Sequence, residues 1–238
     1  MISEKRIKNI FSNLKREPDA IIIKNSSEPY IDDNFFYVTG LDKGLFEGSV
    51  AVLHPTGKVD LIISELEEES AKKSNANLKI YKNGEEFDKF FKNTLSHFKN
   101  IGLNFSGISH RDFCRIKDIC PNSKFVDASE AFAKARLVKD EFEIRTIKEA
   151  CNISDKVMKM IPDILHEGIH EFEIAAEINH LMQKNGADGN AFETISSFGK
   201  NTAEPHYSHG DYRLKSGDFT LFDFGARFRR YNLSLIHI

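Results

Sequence analysis

In the first half of the chain, segments with the hydrophobic pattern of strands alternate with segments that have the hydrophobic pattern of helices. Short, mostly apolar runs that are typical of strands alternate with segments whose apolar residues recur every three or four positions, which is typical of helices. The predicted strands are 20–24, 49–53, 59–63, 78–81, 101–105 and 124–126, and the predicted helices are 4–15, 64–73, 85–98 and 109–119. Strands that alternate with helices in this way indicate an α/β layered domain.

Local turn and capping signals support several of these boundaries. Residues 54–58, His-Pro-Thr-Gly-Lys, lie between two predicted strands and predict a hairpin. Ser64 followed by Glu67 has the spacing of a capping box, in which each side chain bonds to the backbone N–H of the other residue, and predicts the start of a helix. A further apolar run at 35–39 stops at Gly40.

The pattern changes after about residue 130, and we predict two domains, 1–130 and 131–238. Acidic residues from Asp140 onwards begin a long helical pattern with the negative charge that a helix N-terminus favours. Pro162 is expected to kink or end this helix. A second helix is predicted at 171–185, where apolar residues again recur with helical spacing.

The strand predicted at 219–226, Phe-Thr-Leu-Phe-Asp-Phe-Gly-Ala, contains the most informative residue of the chain. Period two places Asp223 on one face with Phe219, Leu221 and Gly225. A carboxylate among apolar neighbours is costly to bury unless it is paired, protonated or bound to a cation. Asp223 is therefore a candidate metal ligand or catalytic group, with a structural ion pair to one of the three arginines just downstream as an equally weighted alternative.

Composition narrows the class of protein. The 238 residues include 40% hydrophobic and 29% charged side chains, as in ordinary globular proteins. The formal net charge of −3 gives no overall attraction to nucleic acid or to anionic membranes, so neither is an expected partner. The apolar runs are too short to span a bilayer, and the N-terminus lacks the apolar core of a signal peptide. Three cysteines without a CxxC pair fit a reducing compartment, and a cytoplasmic location is expected.

A polar segment at 201–209 precedes the predicted strand and contains His206 and His209. Pro205 and Gly210 make this segment a loop, so the two histidines lack the helical setting of an HxxH metal pair. A single loop histidine is more often exposed than functional. His206 becomes a candidate because it occurs together with the unusual aspartate of the following strand.

The order of these features resembles one known family. An apolar strand ending in Ser-Phe-Gly, a loop with Asn and His-Tyr, a Ser-Gly-Asp turn and the strand Leu-Phe-Asp-Phe-Gly-Ala are similar to the pita-bread metallopeptidases, in their Xaa-Pro aminopeptidase and prolidase branch. The first half resembles the creatinase-like N-terminal domain of that family, notably at 34–40 and 49–53, and 136–144 resembles the interdomain junction. The resemblance implies an α/β (α+β) fold, with a creatinase-like α/β N-terminal domain followed by an incomplete pita-bread domain.

The resemblance also implies an activity and its residues. It implies a metal-dependent exopeptidase that hydrolyses the bond between an N-terminal residue and proline in short peptides. Two divalent ions are implied in the full-length protein, manganese first with cobalt or zinc as alternatives, and Asp223 corresponds to the first metal-ligand aspartate. His206 corresponds to the substrate-site histidine, which contacts the scissile peptide and steadies its tetrahedral intermediate. The implied partners are a short peptide with proline in second position and a second copy of the chain in a homodimer.

The sequence departs from the family pattern near its end. The family has a second metal-ligand aspartate eleven positions after the first, where this chain has Ser234. A tight turn near 228–229 is expected to place position 234 opposite Asp223 across a hairpin. The further family ligands, a histidine and two glutamates, have no counterpart in these 238 residues. We therefore expect a fragment that is inactive as given, with residues after about 231 not native.

Two other functions fit the same sequence. A catalytically dead pita-bread module that binds peptides or proteins would carry a genuine serine at 234. A metal-free creatinase-like amidinohydrolase on the same fold would not need Asp223. The continuation after Arg230 distinguishes the three, because a peptidase requires an aspartate at 234 and further histidine and glutamate ligands downstream.

Overall fold

The computed structural model of the protein describes residues 2–233 and 235–237. These residues form two compact units, Met1–Val138 and Lys139–Ile238, which are described separately below. Within the described part of the chain, no helix combines the length and the apolar character that crossing a bilayer requires.

The first unit is built on a mixed six-stranded sheet. Its strands are β1 (Ala20–Lys24), β2 (Val50–Leu53), β3 (Val59–Ser64), β4 (Asn77–Tyr81), β5 (Asn100–Leu103) and β6 (Lys124–Asp127). The strand order is β4-β3-β2-β1-β5-β6, with β1 antiparallel to β2 and parallel to β5. The predicted strands of this half are confirmed, with ends shifted by about one or two residues, which is the usual uncertainty of strand and helix ends.

Helices cover both faces of this sheet. They are α1 (Ile2–Ser12), α2 (Asp33–Thr39), α3 (Glu68–Ala71), α4 (Gly84–Leu95), α5 (His110–Ile119) and α6 (Ser129–Leu137). Alternate residues of β1 enter different hydrophobic clusters, because successive side chains of a strand point to opposite faces. Ile21 and Ile23 pack with Phe35 of α2, whereas Ile22 packs with Phe91 of α4. The unit therefore has three layers, helix, sheet and helix, with a core on each side.

The predicted capping box at Ser64 is wrong. Ser64 makes no side-chain capping bond, and the segment after it forms a short 3₁₀ helix, Glu65–Glu67, before α3. The carboxylate of Glu67 instead accepts hydrogen bonds from the backbone N–H groups of Leu45 (3.1 Å) and Phe46 (2.9 Å). The Glu67 carboxylate is therefore bonded to two backbone N–H groups from another part of the chain and is not bonded to Ser64 N, as the capping box would require.

The second unit begins with two helices, α7 (Glu141–Ile164) and α8 (Glu171–Lys184). Asp140 caps α7 through a capping box, since its carboxylate accepts from Glu143 N (2.9 Å) and Glu143 returns a bond to Asp140 N (2.9 Å). The helix ends two residues after Pro162, in agreement with the expected breaking effect of proline. The predicted start of the long helix is therefore confirmed.

Short strands follow these helices in two three-stranded sheets. The strands are β7 (Gly189–Asn190), β8 (Ile195–Phe198), β9 (Thr220–Phe224), β10 (Ala226–Phe228), β11 (Tyr231–Asn232) and β12 (Leu235–His237), with a 3₁₀ helix at Gly199–Ala203. The sheet orders are β11-β10-β7 and β12-β9-β8. The single strand predicted at 219–226 is thus two strands, which are separated at Gly225 and belong to different sheets.

The predicted hairpin register after this strand is wrong. The turn between β10 and β11 consists of Arg229 and Arg230, both with positive φ (48° and 70°), as a two-residue type I′ turn requires. This position of the turn places Ile236, not residue 234, directly opposite Asp223. Position 234 itself lies outside the described residues.

Candidate functional site

Asp223 lies on β9 between two strands. It is opposite Ile195 of β8 on one side and opposite Ile236 of β12 on the other. Its sequence neighbours Phe222 and Phe224 are 3% and 0% exposed and belong to the core formed with α7 and α8. Because strand side chains alternate, Asp223 points to the other side of the sheet, where it is half-buried with its Oδ1 atom buried.

The face of Asp223 contains a second buried polar group. Ser197 pairs with Leu221, two residues before Asp223, so the three side chains share one face of the sheet. Ser196 and Ser197 are both 0% exposed, and neither hydroxyl has a hydrogen-bond partner among the described residues. Ser197 is the one of the two that lies on the face of Asp223, whereas Ser196 lies on the opposite face with Phe222.

His206 lies in the loop between the 3₁₀ helix and β9, and its side chain is exposed. Hydrogen bonds connect this loop to the strands near Asp223. Ser196 N donates to Ser208 O (2.7 Å), and Ser196 itself pairs with Phe222 of β9. The loop of His206 and the strand of Asp223 therefore adjoin the same strand, β8.

One carboxylate does not make a metal centre. A buried carboxylate oxygen is a suitable donor for a hard divalent cation, and Asp223 supplies one. Across residues 2–233 and 235–237, however, no group of three or more His, Cys, Asp or Glu side chains is arranged to hold a metal ion. The described residues thus contribute a candidate ligand but do not fit a complete two-metal site.

Sequence reasoning missed Glu171, the first residue of α8. Its side chain is 0% exposed, and both carboxylate oxygens accept hydrogen bonds from the segment that carries His206. One donor is the Tyr207 hydroxyl (2.9 Å), and burial together with this bond raises the pKa of Tyr207. An acidic residue at a helix start is a common local signal, so nothing in the sequence distinguished this one.

Arg229, one of the three arginines downstream of Asp223, makes contacts elsewhere in the unit. Arg229 N donates to Asp188 Oδ2 (2.6 Å), and the Arg229 guanidinium lies 5.9 Å from the ring centroid of Phe142. Arg227 is exposed on β10. These contacts attach the β10–β11 turn to the region before β7 and to the start of α7.

Fold and site together define a two-unit α/β chain with a helix-backed aspartate strand and a histidine loop beside it. Residues 6–138 match the family model of the creatinase/prolidase N-terminal domain, and residues 145–235 match metallopeptidase family M24. The chain belongs to metallopeptidase family M24, in the Xaa-Pro aminopeptidase and prolidase branch. The family predicted from the residues is confirmed.

Named relatives and solved structures agree with this membership. The chain is 31% identical over 234 residues to an Xaa-Pro dipeptidase of Pyrococcus horikoshii, covering 97% of this chain and 62% of that protein. It is similar in structure to an X-Pro aminopeptidase of Thermotoga maritima, with a TM-score of 0.85 and 29% identity over 92% of this chain and 62% of the other. A prolidase of Pyrococcus furiosus matches with a TM-score of 0.82 and 26% identity over 98% of this chain and 69% of the other. The predicted fold class is confirmed, and the chain spans 62% of the length of the P. horikoshii relative.

Proposed function

We propose that this chain is part of a metal-dependent exopeptidase that cleaves the bond before proline in short peptides. The observation that carries the proposal is the match of both halves, in order, to proteins named Xaa-Pro dipeptidase and X-Pro aminopeptidase. The substrate class is a short peptide with proline in second position, and the assembly is a homodimer. A cytoplasmic location is part of the same proposal.

Asp223 is proposed as a metal ligand. A carboxylate oxygen is a suitable ligand for a hard divalent cation, and β9 places Asp223 next to β8, the strand that the His206 loop also adjoins. Two such ions, manganese first and cobalt or zinc as alternatives, are proposed for the whole protein. In hydrolases divalent ions polarise the scissile carbonyl and activate water. The described residues supply Asp223 as a candidate ligand for such an ion and hold no group of three.

His206 is proposed to contact the scissile peptide. An imidazole can donate or accept a hydrogen bond near neutral pH, and the side chain of His206 is exposed on a loop beside β8. A donor aimed at the carbonyl oxygen would stabilise the negative charge that develops there during hydrolysis. Removal of such a donor from an acyl-transfer site costs about 100-fold or more in kcat.

A peptide-binding module without hydrolysis is the second candidate. The specific observation in its favour is that no three potential ligands converge within residues 2–233 and 235–237. A module of this kind would use the same loop and strands to hold a peptide. It would retain its affinity for the peptide when metal is withheld.

The test begins with the coding DNA, sequenced through codon 232 to a verified stop. The protein encoded by that frame is assayed with manganese on matched peptides, Xaa-Pro-Yaa and Xaa-Ala-Yaa, with products identified by mass spectrometry. We expect cleavage only before proline, loss of it in Asp223→Asn, and a fall in kcat of about 100-fold or more in His206→Ala. Metal-independent peptide binding without cleavage would favour the binding module. If the protein neither cleaves nor binds the peptides, both functions are rejected.

A further inference from the structure

The fully buried carboxylate of Glu171 is bonded at both of its oxygens. Oε1 accepts from Phe198 N (2.7 Å) and from Asn201 Nδ2 (3.0 Å). Oε2 accepts from the Tyr207 hydroxyl (2.9 Å) and from Gly210 N (3.0 Å). Four donors at these distances satisfy a carboxylate that would otherwise be very costly to bury.

These donors come from both ends of the loop that carries His206. Phe198 and Asn201 precede it and share one oxygen, whereas Tyr207 and Gly210 follow it and share the other. A single carboxylate thus closes the loop and leaves 202–206 as the span between its two attachments. Fixing both ends of so short a span restricts the conformations that the backbone at His206 can adopt.

The start of α8 does not require this arrangement. The helix N-terminus is capped at its backbone by Glu173, whose carboxylate accepts from His170 N (2.9 Å). The first turn is also held by the segment that follows the loop, through Phe172 N to Gly210 O (3.1 Å). A favourable charge at the helix end would be obtained equally well with an exposed side chain. Helix formation therefore leaves the burial of Glu171 unexplained.

We propose that Glu171 is the positioning residue of the His206 loop. The proposal rests on the proposed function, in which His206 contacts the scissile peptide. Glu171 touches neither substrate nor metal in this role and acts by holding 198–210 in one conformation. The geometry of the loop then depends on the charge and on the two acceptor oxygens of one side chain.

Glutamine cannot replace Glu171 in this arrangement. A glutamine side chain has one acceptor oxygen and one donor NH₂ group. Either orientation of the amide therefore points its NH₂ at two donors, those before the loop or those after it. Glu171→Gln has nearly the shape of the native side chain but releases one end of the loop.

The first test measures amide hydrogen exchange and the His206 imidazole NMR signals in the 238-residue chain. For Glu171→Gln we expect exchange at least about 10-fold faster within 198–210, with α7 unchanged and the His206 signals shifted or broadened. Glu173→Gln is the matched control, because it removes the same charge from the same helical turn, and we expect no change in the loop. If Glu171→Gln does not fold, Tyr207→Phe, which removes one of the four bonds, is expected to accelerate exchange in the same segment.

Unchanged loop exchange in the folded variant would overturn the proposal. Acceleration spread evenly over the second unit would overturn it as well, because it would show a purely structural role.

The second test uses hydrolysis by the protein encoded by the verified reading frame. If Glu171 acts through His206, Glu171→Gln lowers kcat/KM about 10-fold or more, and the double variant with His206→Ala is no slower than His206→Ala alone. Independent, multiplicative losses would overturn the proposal. If the wild-type protein cleaves no Xaa-Pro peptide, the proposed function fails, and the exchange measurements still decide whether Glu171 holds the loop.

Discussion

Replacing Lys24 by methionine is expected to stabilise the first unit and to remove a pH dependence of its stability. Lys24 ends the central strand β1 and is 7% exposed. Its ammonium group donates to Asn25 O and lies 5.5 Å from the ring centroid of Phe87. Burial lowers the pKa of Lys24 from 10.5 to about 8, although the charge of Asp112 acts in the opposite direction.

The sign and size of the effect follow from proton binding. Below pH 8 the amine is charged in both states, so the cost of burying it is fully present. Between pH 8 and 10.5 the folded chain loses this proton while the unfolded chain retains it, and the free energy of unfolding rises with pH. The whole window corresponds to roughly 3 kcal/mol. The lost hydrogen bond offsets about 1 kcal/mol of this, so we expect Lys24→Met to raise the free energy of unfolding by about 1–2 kcal/mol at pH 7.

Urea unfolding at pH 7, 9 and 10.5 measures this difference. Because other titrating groups are common to both proteins, the difference between Lys24→Met and wild type isolates Lys24. The gain should shrink as pH rises through the window. Lys92→Met, which removes an exposed charge from α4, is the control and should show no such trend. A gain that is independent of pH, or a loss at pH 7, would refute the argument from burial.

Three further predictions concern the second unit. Asp140→Ala breaks the capping box of α7 and should lower the free energy of unfolding by about 1 kcal/mol in urea, whereas Asp140→Asn should retain most of it. Gly210→Ala would place its Cβ against the Tyr207 hydroxyl and displace it from Glu171, so exchange of the loop amides should increase. Gly84→Ala, where an added Cβ meets no atom within 4 Å, is the control and should leave these amides unchanged. The 238-residue chain should bind manganese weakly or not at all, since the part of it that the structure describes holds no group of three potential ligands; tight binding of two ions per chain in calorimetry would contradict this.

The architecture was accessible from the sequence because its signals are local. The strand periods in the first half and the acidic start of α7 depend on residues close together in the chain, and both were confirmed. The helix predicted at 64–73 was only partly correct, and the apolar run at 35–39 proved to be helix α2. The family was recognisable for a related reason. Unusual residue types recur at fixed spacing around His206 and Asp223, within the segment that matches family M24.

The predictions were wrong where residues distant in the chain, or the backbone conformation of a turn, determine the local structure. Glu67 binds two backbone donors more than twenty residues away instead of capping a helix. The register of Asp223 depends on a turn formed by Arg229 and Arg230, two non-glycine residues with positive φ, which a search for turn residues does not single out.

The layered architecture, the start of α7 and the candidate residues could be predicted from the sequence alone, since these depend on periodicity and on near neighbours. The environment of those residues came only with the folded chain. Glu171 is separated from its donors by 27 to 39 positions, and only the packing of α8 against the loop brings them within hydrogen-bond distance. A buried carboxylate with four donors exists only once the fold has closed around it, because each of those donors is bonded to water in the unfolded chain.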